Sequence, residues 1–96
     1  MKPEFHPAAE TELSASVAWY EARAVSLGTQ MYDEVTRSLQ VLCERPQIGK
    51  PAGSLLRKYH LRRFPYTLWY RVGGDKLRII AIAHNRRRPG YWSKRR

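Results

Sequence analysis

The sequence predicts an α+β fold: an N-terminal antiparallel helical hairpin packed on a twisted antiparallel β-sheet, in the order β-α-α-β-β-β. Three observations predict it. Apolar residues recur at helical spacing in two early stretches. They alternate at strand spacing in the later ones. Glycine and proline mark the boundaries between them. The chain has 96 residues and no linker-like stretch, so one domain, 1–96, is expected.

Residues 2–6 read as a short strand, with Pro3 near its start. Pro7 follows and suits the first turn of a helix, where a missing N–H costs nothing. Leu13, Val17, Tyr20 and Ala24 then recur at steps of four, three and four, which is one helix face. Ser26-Leu27-Gly28 interrupts it, and Gly28 is expected to take the left-handed conformation that ends helices. A second helix places Tyr32, Val35, Leu39 and Leu42 on one face and closes at Pro46 and Gly49. Neither helix can bury its stripe alone, so a sheet must cover the hairpin.

The second half supplies that sheet. Leu55–Phe64 is extended and basic, and Pro65 breaks it. Along Tyr66–Val72 the alternation divides Tyr66, Leu68 and Tyr70, a core face, from Thr67, Trp69 and Arg71. Trp69 is as well suited to ordinary packing as to stacking a base or meeting a partner. Gly73-Gly74-Asp75 is a turn signal. Lys76–His84 alternates, with Leu77, Ile79, Ala81 and Ala83 on one face and Arg78, Ile80, Ile82 and His84 on the other. Asn85–Arg96, basic and aromatic, reads as an exit segment or short helix that adds little core.

Charge narrows the function. The net charge is +10. Residues 1–48 hold four Lys/Arg and seven acids, whereas residues 49–96 hold fourteen Lys/Arg and one acid, Asp75. A split of this size implies a polyanion or an acidic partner for the second half. The single cysteine, Cys43, excludes an internal disulfide and reads as a small buried apolar residue. Met1–His6 lacks the apolar run of a signal peptide, and no stretch is apolar enough to span a membrane. A cytoplasmic protein is expected. His6 and His60 stand in no metal-ligand spacing, so no metal or cofactor is expected.

The order of motifs carries a resemblance. Phe5-x-Pro7-Ala8-Ala9 precedes a helix with Trp19-Tyr20-Glu21. Leu27-Gly28 separates the helices, and Pro46-x-x-Gly49 follows them. Then come Leu61-x-Arg63-Phe64-Pro65-Tyr66, Tyr70-Arg71-Val72 and Ala81-x-Ala83-His84-x-x-Arg87-x-Pro89-x-Tyr91-Trp92. Over nearly its whole length the chain resembles the RelE/ParE superfamily of type II toxins. The resemblance implies a toxin that arrests growth until a cognate antitoxin neutralises it. RelE-like members cleave mRNA on the ribosome. ParE-like members inhibit DNA gyrase without catalytic residues of their own.

Cleavage of RNA by its 2′-hydroxyl needs a base, an acid and positive charge on the phosphate. On a RelE-like reading the catalytic candidates are His84, Arg86, Arg88 and Tyr91. Many ribonuclease members carry Arg directly after the residue matching Tyr66. Here that residue is Thr67, which cannot clamp a phosphate. The reading therefore favours ParE-like inhibition of gyrase, with a ribosome-dependent mRNA endonuclease as the alternative. A plain nucleic-acid-binding module is a third class. Residues expected to bind nucleic acid or the target are Arg57, Lys58, Arg62, Arg63, Arg86, Arg87, Arg88 and Trp92. Arg62 and Arg63 serve equally well as a solvated basic face. Arg86–Arg88 are favoured as functional, because three adjacent like charges repel unless a partner offsets them. For His84 a structural hydrogen bond competes with general acid–base work.

Overall fold

The computed structural model describes residues 1–96. Its elements are β1 (Lys2–Phe5), α1 (Pro7–Glu21), α2 (Leu27–Glu44), β2 (Lys50–Pro51), β3 (Leu56–His60), β4 (Tyr66–Gly73) and β5 (Lys76–His84). They form an α+β fold with one five-stranded sheet in the order β1-β5-β4-β3-β2. The sheet is antiparallel from β2 to β5, and β1 joins β5 in parallel. Two features are finer than the sequence reading. Lys50–Pro51 adds a short edge strand, and the parallel edge makes the sheet mixed. No helix is long and apolar enough to cross a membrane.

Local chemistry starts each helix. Pro7 opens α1, and His6 caps it by accepting the Ala8 N–H on Nδ1 at 3.0 Å. Burial, with Arg78 and Arg95 adding to it, lowers the His6 pKa, which suits a ring that must accept. On α2 the buried stripe is Met31, Val35, Leu39 and Leu42. Tyr32 is half exposed, so the stripe runs one residue earlier than its expected start. The hairpin packs on one sheet face against Leu68, Tyr70, Leu77, Ile79 and Ile82. Cys43 is free and packs at the margin of this core, where burial raises its thiol pKa. A smaller cluster of Ile80, Ala81, Ala83 and Trp92 lies apart from it, with Trp69 packed against it.

Two local expectations change. First, α1 ends at Glu21, Ala24 lies beyond it, and Ser26 rather than Gly28 takes the left-handed backbone, with φ 70°. The Glu21 carboxylate holds this turn by accepting the N–H groups of Ser26 at 3.0 Å and Gly28 at 2.9 Å. Gly28 sits inside α2 because α1 passes too close for a side chain. A Cβ there would lie 2.5 Å from the Val17 carbonyl oxygen.

Second, β5 does not alternate throughout. Trp69 faces Ala81 while Tyr70 faces Ile79, so Ile80 is an extra residue bulged out of register. The bulge switches the phase of the strand. Leu77 and Ile79 face the helices before it, and Ile82 faces them after it. Ile80, Ala81 and Ala83 all join the second cluster.

Gly28→Ala should destabilise the chain by about 1–3 kcal/mol, the usual cost of forced overpacking. Gly73→Ala, which meets open space, should change stability little. Chemical denaturation of the two variants beside the parent measures both. Equal stability of all three would show that the helices separate without cost.

Candidate functional site

Beyond Ile79 the neighbouring strand β1 ends, and the β5 backbone would be left unpaired on that side. Two side chains take the place of a strand. Glu12 of α1 accepts the Ile82 N–H on Oε1 at 2.9 Å, and Arg95 donates to the Ile80 carbonyl at 3.1 Å. The same two residues form a two-pronged ion pair, at 3.0 and 3.1 Å. Tyr91 donates its hydroxyl to Glu12 Oε2 at 2.7 Å. Arg87 adds a looser ion pair at 3.8 Å and stacks its guanidinium over the Tyr91 ring. Burial, then the bond to Glu12, raises the Tyr91 pKa far above its usual value and keeps the phenol protonated.

This clamp folds the terminal segment back. Trp92 is buried against Trp69, with ring centroids 4.1 Å apart. The segment is thus more than a solvated exit, since it completes the second cluster. Its fixed residues leave Arg86 and Arg88 exposed. His84 accepts the Arg86 N–H on Nδ1 at 3.1 Å, so the neutral ring carries its proton on Nε2. Its ring meets that of Tyr66 edge-on at 5.1 Å.

Beside the clamp lies a cleft of about 420 Å³ walled by Trp19, Tyr20, Tyr66 and Ile82, with His84 and Arg87 among its polar groups. Trp19 is half exposed, and the Arg23 guanidinium lies 3.5 Å above its ring. The walls suit an aromatic or aliphatic anchor from a partner, and the neighbouring arginines suit acidic groups around it.

Besides the buried Trp92, four basic residues expected to bind lie away from this cleft. Arg57 donates to the carbonyls of Gly49 at 2.7 Å and Gln47 at 3.2 Å, which fixes the loop after α2. Lys58 stands opposite Trp69, near its ring. Arg62 and Arg63 form a bend whose N–H groups donate to the buried carboxylate of Glu34. Their side chains, with Arg37, line a separate depression. Thr67 is buried, its hydroxyl lies 2.7 Å from His60 Nδ1, and it donates to Asn85 Oδ1 at 2.6 Å.

The structure therefore brings His84 and Arg87 to one cleft, joins Tyr91 to it through Glu12, and places Arg86 and Arg88 beside it in the chain. Glu12 and Arg95 were not singled out from the sequence, and Trp19 entered only as part of a motif. Glu12 has a trace there, as one of three acids on a helix that carries no basic residue, in a strongly basic chain. Its partners lie 70 to 83 residues away, a pairing that spacing cannot show.

Comparison with known proteins adds two findings. Residues 4–89 match the family described as ParE toxin of type II toxin-antitoxin system, parDE. Among solved structures, a chain of the chromosomal ParDE TA system from P. aeruginosa shares the fold with a TM-score of 0.63. It is 20% identical, and the match covers 88% of this chain and 95% of that one. No curated protein matches.

Tyr91→Phe should cost about 1–2 kcal/mol, the scale of a buried hydrogen bond to a charged acceptor. It should also alter the pH dependence. Because folding raises the Tyr91 pKa, its contribution is complete below the unfolded value near 10 and is lost as pH rises above it. Denaturation between pH 8 and pH 11, both about neutral to alkaline limits for the phenol, should show a shallower alkaline decline in the variant than in the parent. Identical declines would place the phenol outside the clamp.

Proposed function

Because the chain belongs to the ParE toxin family of type II toxin–antitoxin systems, we propose that it arrests growth by binding DNA gyrase rather than by cleaving RNA. The observation that carries this reading is Thr67. The position where many ribonuclease members carry an arginine is buried here, and its hydroxyl is engaged by His60 and Asn85. It offers no cation to a phosphate. Tyr91, a catalytic candidate on the ribonuclease reading, is held protonated with its hydroxyl on Glu12. Among the candidates for chemistry, Arg86 and Arg88 are exposed.

The same arrangement suits tight binding without turnover. Arg86 and Arg88 are exposed and flank Arg87, which lines a cleft with three aromatic walls. Such a surface anchors a target by burying one apolar group and surrounding it with charge pairs. The family implies a cognate antitoxin, and we take it to cover this surface in the cytoplasm until the toxin is released.

A second reading, ribosome-dependent mRNA cleavage, draws on one observation: His84 and Arg87 share the cleft, with Arg86 and Arg88 adjacent. His84 would then exchange the proton and the arginines would hold the phosphate. The two readings separate cleanly. Inducible expression with separate pulse labels for DNA and protein synthesis should show DNA synthesis failing first, with DNA-damage signalling. In purified form the chain should inhibit supercoiling by gyrase. Arg86→Ala with Arg88→Ala should raise the half-inhibitory concentration by at least about tenfold, about 1.4 kcal/mol of binding. An early collapse of translation with DNA synthesis intact would replace the gyrase reading with the ribosomal one.

A further inference from the structure

The strongest cationic feature outside the cleft is a depression of about 390 Å³ between α2 and the bend after β3. Arg37 and Ser38 of α2, Tyr59 of β3, and Arg62 and Arg63 of the bend line it, with Val41 on its apolar side. Its one carboxylate is Glu34, which is buried and already accepts the backbone N–H groups of Arg62 and Arg63. The ion pairs of the chain all go to Glu4 and Glu12 and include none of these arginines. Arg63 has a partial partner, the Gln30 side-chain oxygen. Three guanidinium groups thus converge on one hollow whose single acid has turned its oxygens inward to the backbone.

We propose that this depression is a docking site for an acidic segment of a partner protein, in which at least two carboxylates are separated by an apolar residue. Two carboxylates match the excess of three guanidinium groups over one acid. The fork of each guanidinium receives a carboxylate in two parallel hydrogen bonds. The apolar residue fits between Val41, which is exposed on α2, and the Tyr59 ring. This apolar side favours a protein over a nucleic acid. A phosphate backbone needs an extended track of cations with faces for bases to stack on, and here the cations are gathered around one hollow. The proposal rests on the toxin reading for the partner, an antitoxin, and on the depression alone for the chemistry.

The test needs no cells, so it fails separately from the growth experiment. The probe is a short fluorescein-labelled peptide in which glutamates alternate with leucines, read by anisotropy against the full chain. Arg37→Gln and Arg62→Gln should each weaken binding by at least about tenfold. Both side chains are exposed, and glutamine is a good helix residue, so the fold should stand. Arg37→Lys should recover part of the loss. Lys2→Gln removes the same charge from β1 and should leave binding within about twofold, since a distant exposed charge is largely screened. The proposal is overturned if the parent does not bind the peptide or if Lys2→Gln weakens it as much as the arginine variants. It is overturned equally if an oligothymidine strand binds the parent more tightly than the peptide and loses affinity in the same two variants, because the hollow would then serve a nucleic acid.

Discussion

A sheet edge inside a folded chain cannot be left with bare N–H and C=O groups, because each costs free energy when it is buried without a partner. β1 is too short to cover β5, and that deficit organises much of this molecule. Glu12 reaches from α1 to the Ile82 N–H, and Arg95 reaches from the terminal segment to the Ile80 carbonyl. Because those two side chains also pair with each other, repairing the edge brings the acidic first half and the basic second half into contact. Tyr91 and Arg87 then gather on the same carboxylate. Removing Glu12 would leave the enclosed Arg95 without its counter-charge, which typically costs about 3–5 kcal/mol. The cleft walls, the fixed path of the terminal segment and the freedom of Arg86 and Arg88 all follow from this one closure.

The acids of the first half are mostly turned to internal use. Glu4 pairs with Arg78 and Lys76, Glu12 holds the clamp, Glu21 holds the turn between the helices, and Glu34 holds the bend after β3. Glu21 and Glu34 are thereby engaged by backbone N–H groups, and Glu4 and Glu12 answer only four of the cations of the second half. The cations of the second half are left with little acid of their own chain to answer them. Charge asymmetry in the sequence becomes, through these contacts, an outward field that an acidic partner can read.

Much of this was legible in the sequence. Helical spacing found both helices, and the alternation of Tyr66, Leu68 and Tyr70 gave the core face of β4 correctly. The glycine–aspartate turn before β5 was visible because its chemistry is local. Other features were hidden for a physical reason. The role of Gly28 depends on how closely α1 passes, which its own neighbours in sequence do not encode. Tyr32 and Met31 are adjacent apolar residues, and only the sheet decides which of them is buried. The burial of Trp92 required Trp69 to lie opposite the returning segment. At the site, composition pointed to the arginines around His84, but not to the carboxylate that positions their neighbours. The sequence placed Arg57 among binding residues by charge alone and gave no sign that one of its guanidinium nitrogens also holds loop carbonyls.

The bulge at Ile80 makes β5 sensitive to length in a way that differs from its sensitivity to composition. Exchange of one aliphatic side chain for another of similar volume is absorbed locally. Gain of a further residue after the bulge is not, because every side chain beyond it would move to the opposite face of the sheet. Ile82 would leave the helical core and Ala81 would replace it, while the Ile82 N–H would turn away from Glu12. Descent with modification can therefore exchange aliphatic side chains along this strand while it resists lengthening, and related chains should accumulate their insertions elsewhere.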